Sequence, residues 1–169
     1  PASNSNSLSF DGQDDWVSVP SNSSYDLSGK SFTIETYYKT TGSTNNFTVA
    51  ILTDYINGAW EYFYLFLNPN NTLSFAINEG GANSCLLNSS SSIADNQWHH
   101  IAITRDVSVD SMYMFIDGTL IDSEYCNKNG DIFSGQGLAI GGNHQSRFTE
   151  CDMSMVSFSE IVRYNSNFV

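Results

Sequence analysis

Positive charge is what this chain has least of. Six Lys and Arg stand against eighteen Asp and Glu, a net charge of -12 over 169 residues. The six, Lys30, Lys39, Arg105, Lys128, Arg147 and Arg163, are scattered along the sequence. No basic patch is expected that could neutralise phosphates, which excludes nucleic acid as a partner. The same shortage argues against an anionic membrane surface. Long apolar runs are missing too: none reaches the roughly 18 residues that would cross a bilayer, so no membrane insertion is expected. No signal peptide is visible, and the opening "PASNSNSLSF" reads as the start of a mature or excised segment of something longer. No stretch sustains a 3.6-residue period; "SEIVRYNS" has room for one helical turn at most.

What fills the space is Ser, Asn and aromatic residues. Aromatics make up 14% of the chain, enough for a sizeable core in one domain spanning residues 1–169. Nearly every apolar segment alternates with period two or is a short continuous run. In order they are "LSF", "WVSV", "SFTIETYYK", "FTVAIL", "WEYFYLFL", "TLSFAI", "CLLN", "WHHIAIT", "SMYMFID", "TLIDSEY", "LAIG" and "MSMVSF", punctuated by Gly, Asn, Asp and Ser. In "SFTIETYYK", Phe32, Ile34, Thr36 and Tyr38 share one face. "WEYFYLFL" is apolar on both faces, which predicts a central strand. Asp117-Gly118, between two apolar runs, predicts a two-residue hairpin, because Gly accepts the positive φ that the turn needs. About a dozen short strands in one domain give an all-β fold of two packed antiparallel sheets. Residues 1–7 have nothing to anchor them and are expected to form an extended arm or linker.

Three cysteines, Cys85, Cys126 and Cys151, allow one disulfide and one leftover thiol. Sequence alone does not fix connectivity. Cys126 follows a hairpin strand and Cys151 precedes the last strand, so Cys126–Cys151 is the expected pair. Asn22, Asn46, Asn70 and Asn88 each head an Asn-X-Ser/Thr triplet and are glycosylation candidates. An extracellular glycoprotein and an unglycosylated virion or phage surface protein both fit this composition.

Five segments, taken in order, carry a resemblance: "SFDGQDDWVSVP"; "FTIETYYK"; "AILTDY…WEYFYLFLNPNNTLSFAI"; "DNQWHHIAITRD…SMYMFIDGTLI"; and "LAIGGN…MSMVSFSEIVRYNSNF". The chain resembles the concanavalin A-like lectin/glucanase superfamily, in particular its laminin G-like and pentraxin-like jelly rolls. The resemblance covers nearly the whole chain. It implies a curved jelly-roll sandwich that binds glycans or proteins, often with calcium at the rim; some relatives are glycanases. It also implies that the Trp-His-His segment begins a strand and is structural. The pattern agrees, since adjacent strand residues point to opposite faces and His99 and His100 cannot share one metal. His144 lies apart in a Gly/Asn-rich loop.

Glycoside hydrolysis needs two carboxyl groups about 5–9 Å apart. The Glu-X-Asp-X-X-Glu style cluster of the superfamily's glucanases is missing. Glu35 stands alone, Asp122 and Glu124 share a face at a strand end, and Asp152 has no acid two residues on. Solvated strand faces are the expected setting for all of them, and no enzyme activity is expected. No Gly-X-Ser-X-Gly elbow, zinc-type cysteine spacing or phosphate-cradling Gly loop occurs. For calcium, the resemblance points to Asp54, Asn143 and Glu150, with Asn57 nearby; polar decoration of rim loops is the other reading. A sugar site needs an aromatic for the ring's apolar face and planar polar groups for its hydroxyls. Tyr55, Trp60 and Tyr62 beside Asp54 and Asn57 could supply both, or could simply seal the open end of the sandwich.

The expectation is a non-enzymatic extracellular or surface recognition module, binding a glycan or an extracellular protein through its rim loops. The alternative is a structural subunit of a surface fibre, filament, pilus-like appendage or virion, with copies joined through the arm and edge strands. A fold alone does not choose between them.

Overall fold

The computed structural model describes residues 6–43, 48–54, 62–80, 83–128, 132, 135–143 and 145–169. Every predicted strand segment is present. The strands are β1 (Leu8–Asp11), β2 (Val17–Val19), β3 (Phe32–Lys39), β4 (Val49–Thr53), β5 (Tyr62–Leu67), β6 (Thr72–Asn78), β7 (Asn83–Ser92), β8 (His99–Asp106), β9 (Ser111–Ile116), β10 (Thr119–Tyr125), β11 (Leu138–Ile140) and β12 (Glu150–Ser159). The one helical turn among the described residues is a 3-10 turn at Ser23–Tyr25; "SEIVRYNS" forms none. The strands make two antiparallel six-stranded sheets, β1-β12-β3-β8-β9-β10 and β2-β11-β4-β5-β6-β7, packed face to face as a jelly-roll sandwich.

Alternation explains the packing. Phe32, Ile34, Thr36 and Tyr38 of β3 all turn inward and are fully buried. On β5, which sits mid-sheet as expected, Phe63, Leu65 and Leu67 enter the core, where β6 meets them with Leu73, Phe75 and Ile77. Each such side chain contributes about 1.5–3 kcal/mol by leaving water. The predicted hairpin joins β9 to β10, with Asp117 at φ 51° and Gly118 at φ 75°. Gly118 is required twice over, because an added Cβ would also strike the Phe168 carbonyl.

One lateral edge is clipped shut. There β7 and β10, the last strands of opposite sheets, lie side by side. The Asn88 N–H donates to Asp122 Oδ2 at 2.8 Å. A disulfide joins Cys85 to Cys126, with Cα atoms 5.7 Å apart. The expected Cys126–Cys151 pair does not form, and Cys151 is a buried free thiol. Cys151 sits on β12, and three strands separate β12 from β10 in the same sheet. Four strand spacings are about 19 Å, far beyond the reach of a disulfide. At the other lateral edge, β1 and β2 have no strand partner on their outer sides among the described residues, and Leu8 is 55% exposed.

Candidate functional site: an open aromatic cleft on one sheet

Because Phe63, Leu65 and Leu67 point inward, Tyr62, Tyr64 and Phe66 must line the outer face of β5, where all three are half-buried. The Tyr64 and Phe66 rings lie 4.7 Å apart at 34°. A loop from the β11–β12 connection runs beside them. Gly141, at φ 80°, turns the chain out of β11 where the Phe10 ring leaves no room for a Cβ. The loop is pinned to β4 at both ends. Gly141 N donates to Ile51 O at 2.9 Å, and Ala50 N donates to the Arg147 carbonyl at 3.0 Å. Thr149 N closes its neck on Gly141 O at 3.0 Å. Inside it, Asn143 Oδ1 accepts the Gln145 N–H at 3.0 Å, and Arg147 Nη1 donates to Thr48 O at 3.0 Å. The result is a cleft of about 300 Å³ lined by Thr48, Tyr62, Tyr64, Phe66, Asn143, Gln145 and Arg147. It combines ring faces with fixed polar groups, the combination a sugar requires.

The opposite sheet looks different. The C-terminal segment, residues 160–169, folds back over the outer face of β3, β8 and β9. Thr33 Oγ1 donates to Ile161 O at 2.8 Å and accepts from Arg163 N at 3.1 Å. Phe168 N donates to Gly118 O at 2.8 Å, and Leu120 N donates to Asn167 Oδ1 at 2.7 Å. Tyr164 and Phe168 stack with centroids 3.5 Å apart and cover Phe115. Glu35, expected on a solvated face, is therefore only 5% exposed. Tyr164 OH donates to it at 2.9 Å, and His100 Nε2 and Arg163 Nε lie 3.2 and 3.3 Å from its oxygens. Burial first, then the hydrogen bond to Glu35 and that group's charge, push the Tyr164 hydroxyl above its ordinary value.

The two histidines are structural fittings. His99 bridges Asp117 (2.7 Å) and Asp95 (3.1 Å). Desolvation lowers its pKa, but hydrogen bonds to Asp117 and Asp95 outweigh that, and the net shift is upward. His100 faces the other way, its ring on Glu35, while its N–H donates to Asp117 Oδ1 at 2.8 Å.

Of the sequence-predicted site residues, Tyr55, Asn57 and Trp60 lie outside the described residues, as do Asn46, His144 and the first five residues of the arm. Tyr62 and Asn143 line the cleft. Asp54 is fully buried, and its Oδ1 accepts the Phe63 N–H at 2.7 Å. Glu150 is exposed and lines a separate cleft with Phe10, Lys39 and Asp152. Glu150 and Asn143 thus line different clefts. Among the described residues no three His, Cys, Asp or Glu side chains gather to hold a metal, and Asn143 has its oxygen committed to Gln145. Calcium takes six to eight oxygens, and of the two described candidates Asp54 and Asn143 each has its Oδ1 engaged by a backbone N–H. The glycosylation candidates Asn22, Asn70 and Asn88 are exposed. Sequence reasoning missed Tyr64, Phe66, Gln145 and Arg147. The signal for Arg147 was present: a lone cation in a rim loop of a strongly acidic chain.

Fold and cleft together define a two-sheet jelly-roll domain with an aromatic-lined cleft on one outer face. The chain belongs to the concanavalin A-like lectin/glucanases superfamily, whose laminin G type 3 family model matches residues 11–163. No curated protein sequence matches it. Many solved structures share the fold. The binding domain of Paraclostridial Mosquitocidal Protein 1 superposes with a TM-score of 0.80 at 14% identity, covering 96% of this chain and 42% of that one. Domains LG4-5 of the mouse laminin alpha1 chain give 0.75 at 15% identity, covering 95% and 43%. A Ruminococcus gnavus IT-sialidase CBM40 bound to alpha2,3 sialyllactose gives 0.64 at 16% identity, covering 90% and 93%. The chain thus spans less than half the length of the first two.

Proposed function

We propose that the domain is a non-enzymatic extracellular recognition module that binds a glycan in the β5 cleft. The observation that carries this reading is the outward row Tyr62, Tyr64 and Phe66 facing Asn143, Gln145 and Arg147 across about 300 Å³. Rings of this kind take the apolar face of a pyranose, and the amides and guanidinium fix its hydroxyls. The similar fold of a sialyllactose-bound CBM40 supports the reading. Catalysis is not part of it. The two carboxylates sharing the opposite cleft, Glu35 and Asp117, are already held by Tyr164, His100, Arg163 and His99. A glycan array followed by titration calorimetry is the test. Tyr62→Ala and Phe66→Ala should each weaken binding by about tenfold, the worth of one stacked ring. Equal binding by the wild type and both variants would move the site elsewhere.

A second reading, assembly into a surface fibre or virion, is favoured by one observation. The β1 edge, without an outer strand partner among the described residues, adjoins an apolar cleft of about 500 Å³ lined by Leu8, Ile140, Met153, Met155 and Val156. An extended segment from a neighbouring copy could add there as a strand. Deleting residues 1–7 should abolish polymers seen by light scattering. Polymers that persist, or a wild type that forms none, would remove this reading.

A further inference from the structure

Residues 160–169 join neither sheet. They lie on the outer face of β3, β8 and β9 in the way a bound peptide would. One row of that face runs Glu35, Ala102, Phe115 across the three strands: an acid, a small residue that leaves a shallow seat, and a ring. One position along β3, Thr33 grips the segment by its main chain. The Thr33 hydroxyl donates to the Ile161 carbonyl and accepts the Arg163 N–H, two groups that a neighbouring strand would otherwise engage. Farther on, Gly118 O takes the Phe168 N–H at 2.8 Å. Between these two clamps the side chains decide which peptide fits. Tyr164 and Phe168, four residues apart, stack on each other and cover Phe115. Glu35 accepts the Tyr164 hydroxyl at 2.9 Å and lies 3.3 Å from Arg163 Nε. Main-chain bonds for grip and spaced side chains for choice are how proteins recognise extended peptides.

The segment is also lightly held. Ile161, Arg163, Asn165, Ser166 and Asn167 are exposed, and Tyr164 and Phe168 are half-buried. Phe115 is fully buried, yet it belongs with these two rings and not with the core cluster between the sheets. Lifting the segment therefore leaves the core packed, and such segments open at free energies well below that of global unfolding. We propose that residues 160–169 are a displaceable strap resident on a peptide-binding face. The partner that fits is a protein segment of the same pattern: an arginine, an aromatic directly after it, and a second aromatic four residues on. Charge favours a basic segment, because Glu35 is the acid of this face and the chain carries -12 overall. The tether keeps the face closed until such a partner arrives, since a tethered segment competes at a roughly millimolar effective concentration. The β5 cleft, on the other sheet, takes no part.

The experiment uses a fluorescein-labelled peptide of residues 160–169 and the full domain carrying Tyr164→Ser with Phe168→Ser, which empties both ring positions without shortening the chain. Fluorescence anisotropy should show the peptide binding this variant at least about tenfold more tightly than the wild type, whose own strap competes. A peptide with the same two changes should not bind. Adding Glu35→Gln to the emptied domain should weaken binding by about tenfold, the difference between a charge-assisted and a neutral hydrogen bond. A second measurement needs no variant. In the wild type, hydrogen exchange at the Arg163 and Phe168 amides should run at least about a hundredfold faster than in β3 and β8, as a strap opening by itself requires. Exchange at the β8 rate overturns the proposal, and so does an emptied, folded domain that ignores the peptide.

Discussion

The outer face of the β3-β8-β9 sheet and the outer face of β5 start from the same material and end differently. Both are rows of aromatic and polar residues that the pleat turns away from the core. On the first, residues 160–169 lie across the face and the two carboxylates of its cleft meet partners: Glu35 with Tyr164, His100 and Arg163, and Asp117 with the His99 ring and the His100 backbone N–H. On the second none of the described residues lies across, and a buried amide has no acceptor among them. The difference teaches that polar residues on a sheet face are not evidence of a site. What matters is whether the protein itself already supplies their partners.

Several perturbations should pull the two faces apart. The largest strikes the frame that both share. Cys85→Ser removes a clip closing 41 residues between the sheets, which should cost about 3–4 kcal/mol in urea unfolding. Next comes the covered face. Glu35→Ala strips the acceptor from beneath Tyr164, His100 and Arg163 and should cost about 2–3 kcal/mol, read as a lowered urea midpoint at unchanged slope. Glu35→Gln tests the same face for catalysis: a β-glucan turnover that the wild type shows and this variant lacks would make the domain an enzyme. Smaller again is a pH effect. His99 has a raised pKa in the fold, so its contribution is fully present below its unfolded value of about 6.5 and is lost as pH rises through the folded one. Stability should therefore decline across that window, and His99→Gln should flatten the decline. The smallest effect belongs to the open face, where Tyr62→Ala should change stability by less than about 0.5 kcal/mol while still weakening glycan binding about tenfold.

Much of the architecture was legible because strands announce themselves by alternation and turns by Gly. The twelve segments and the Asp117-Gly118 hairpin needed nothing else. The two errors share one cause: both concern contacts between elements far apart in sequence. Glu35 looked solvated because nothing in "FTIETYYK" tells that "VRYNSNF" will return to cover it. Cysteine pairing followed which strands end each sheet, β7 and β10, and not the order of cysteines along the chain. The cleft was half legible. Tyr62 is legible from its chemistry and Asn143 only through the family resemblance, whereas Tyr64 and Phe66 are hidden inside a strand that reads as apolar on both faces. Asn143, expected to offer its oxygen to a metal, has that oxygen engaged by the Gln145 N–H.

The cysteine left out of the disulfide has a use of its own. Cys151 is buried beside Tyr38 and Thr149, and desolvation above all pushes its thiol up to about 12. At neutral pH it is therefore almost never the reactive thiolate, whereas in an opened chain it returns to about 8.5. The folded domain carries a silent chemical clock. A thiol-reactive dye added to the native protein would mark time only when the core comes apart, one label per opening, without any engineered probe.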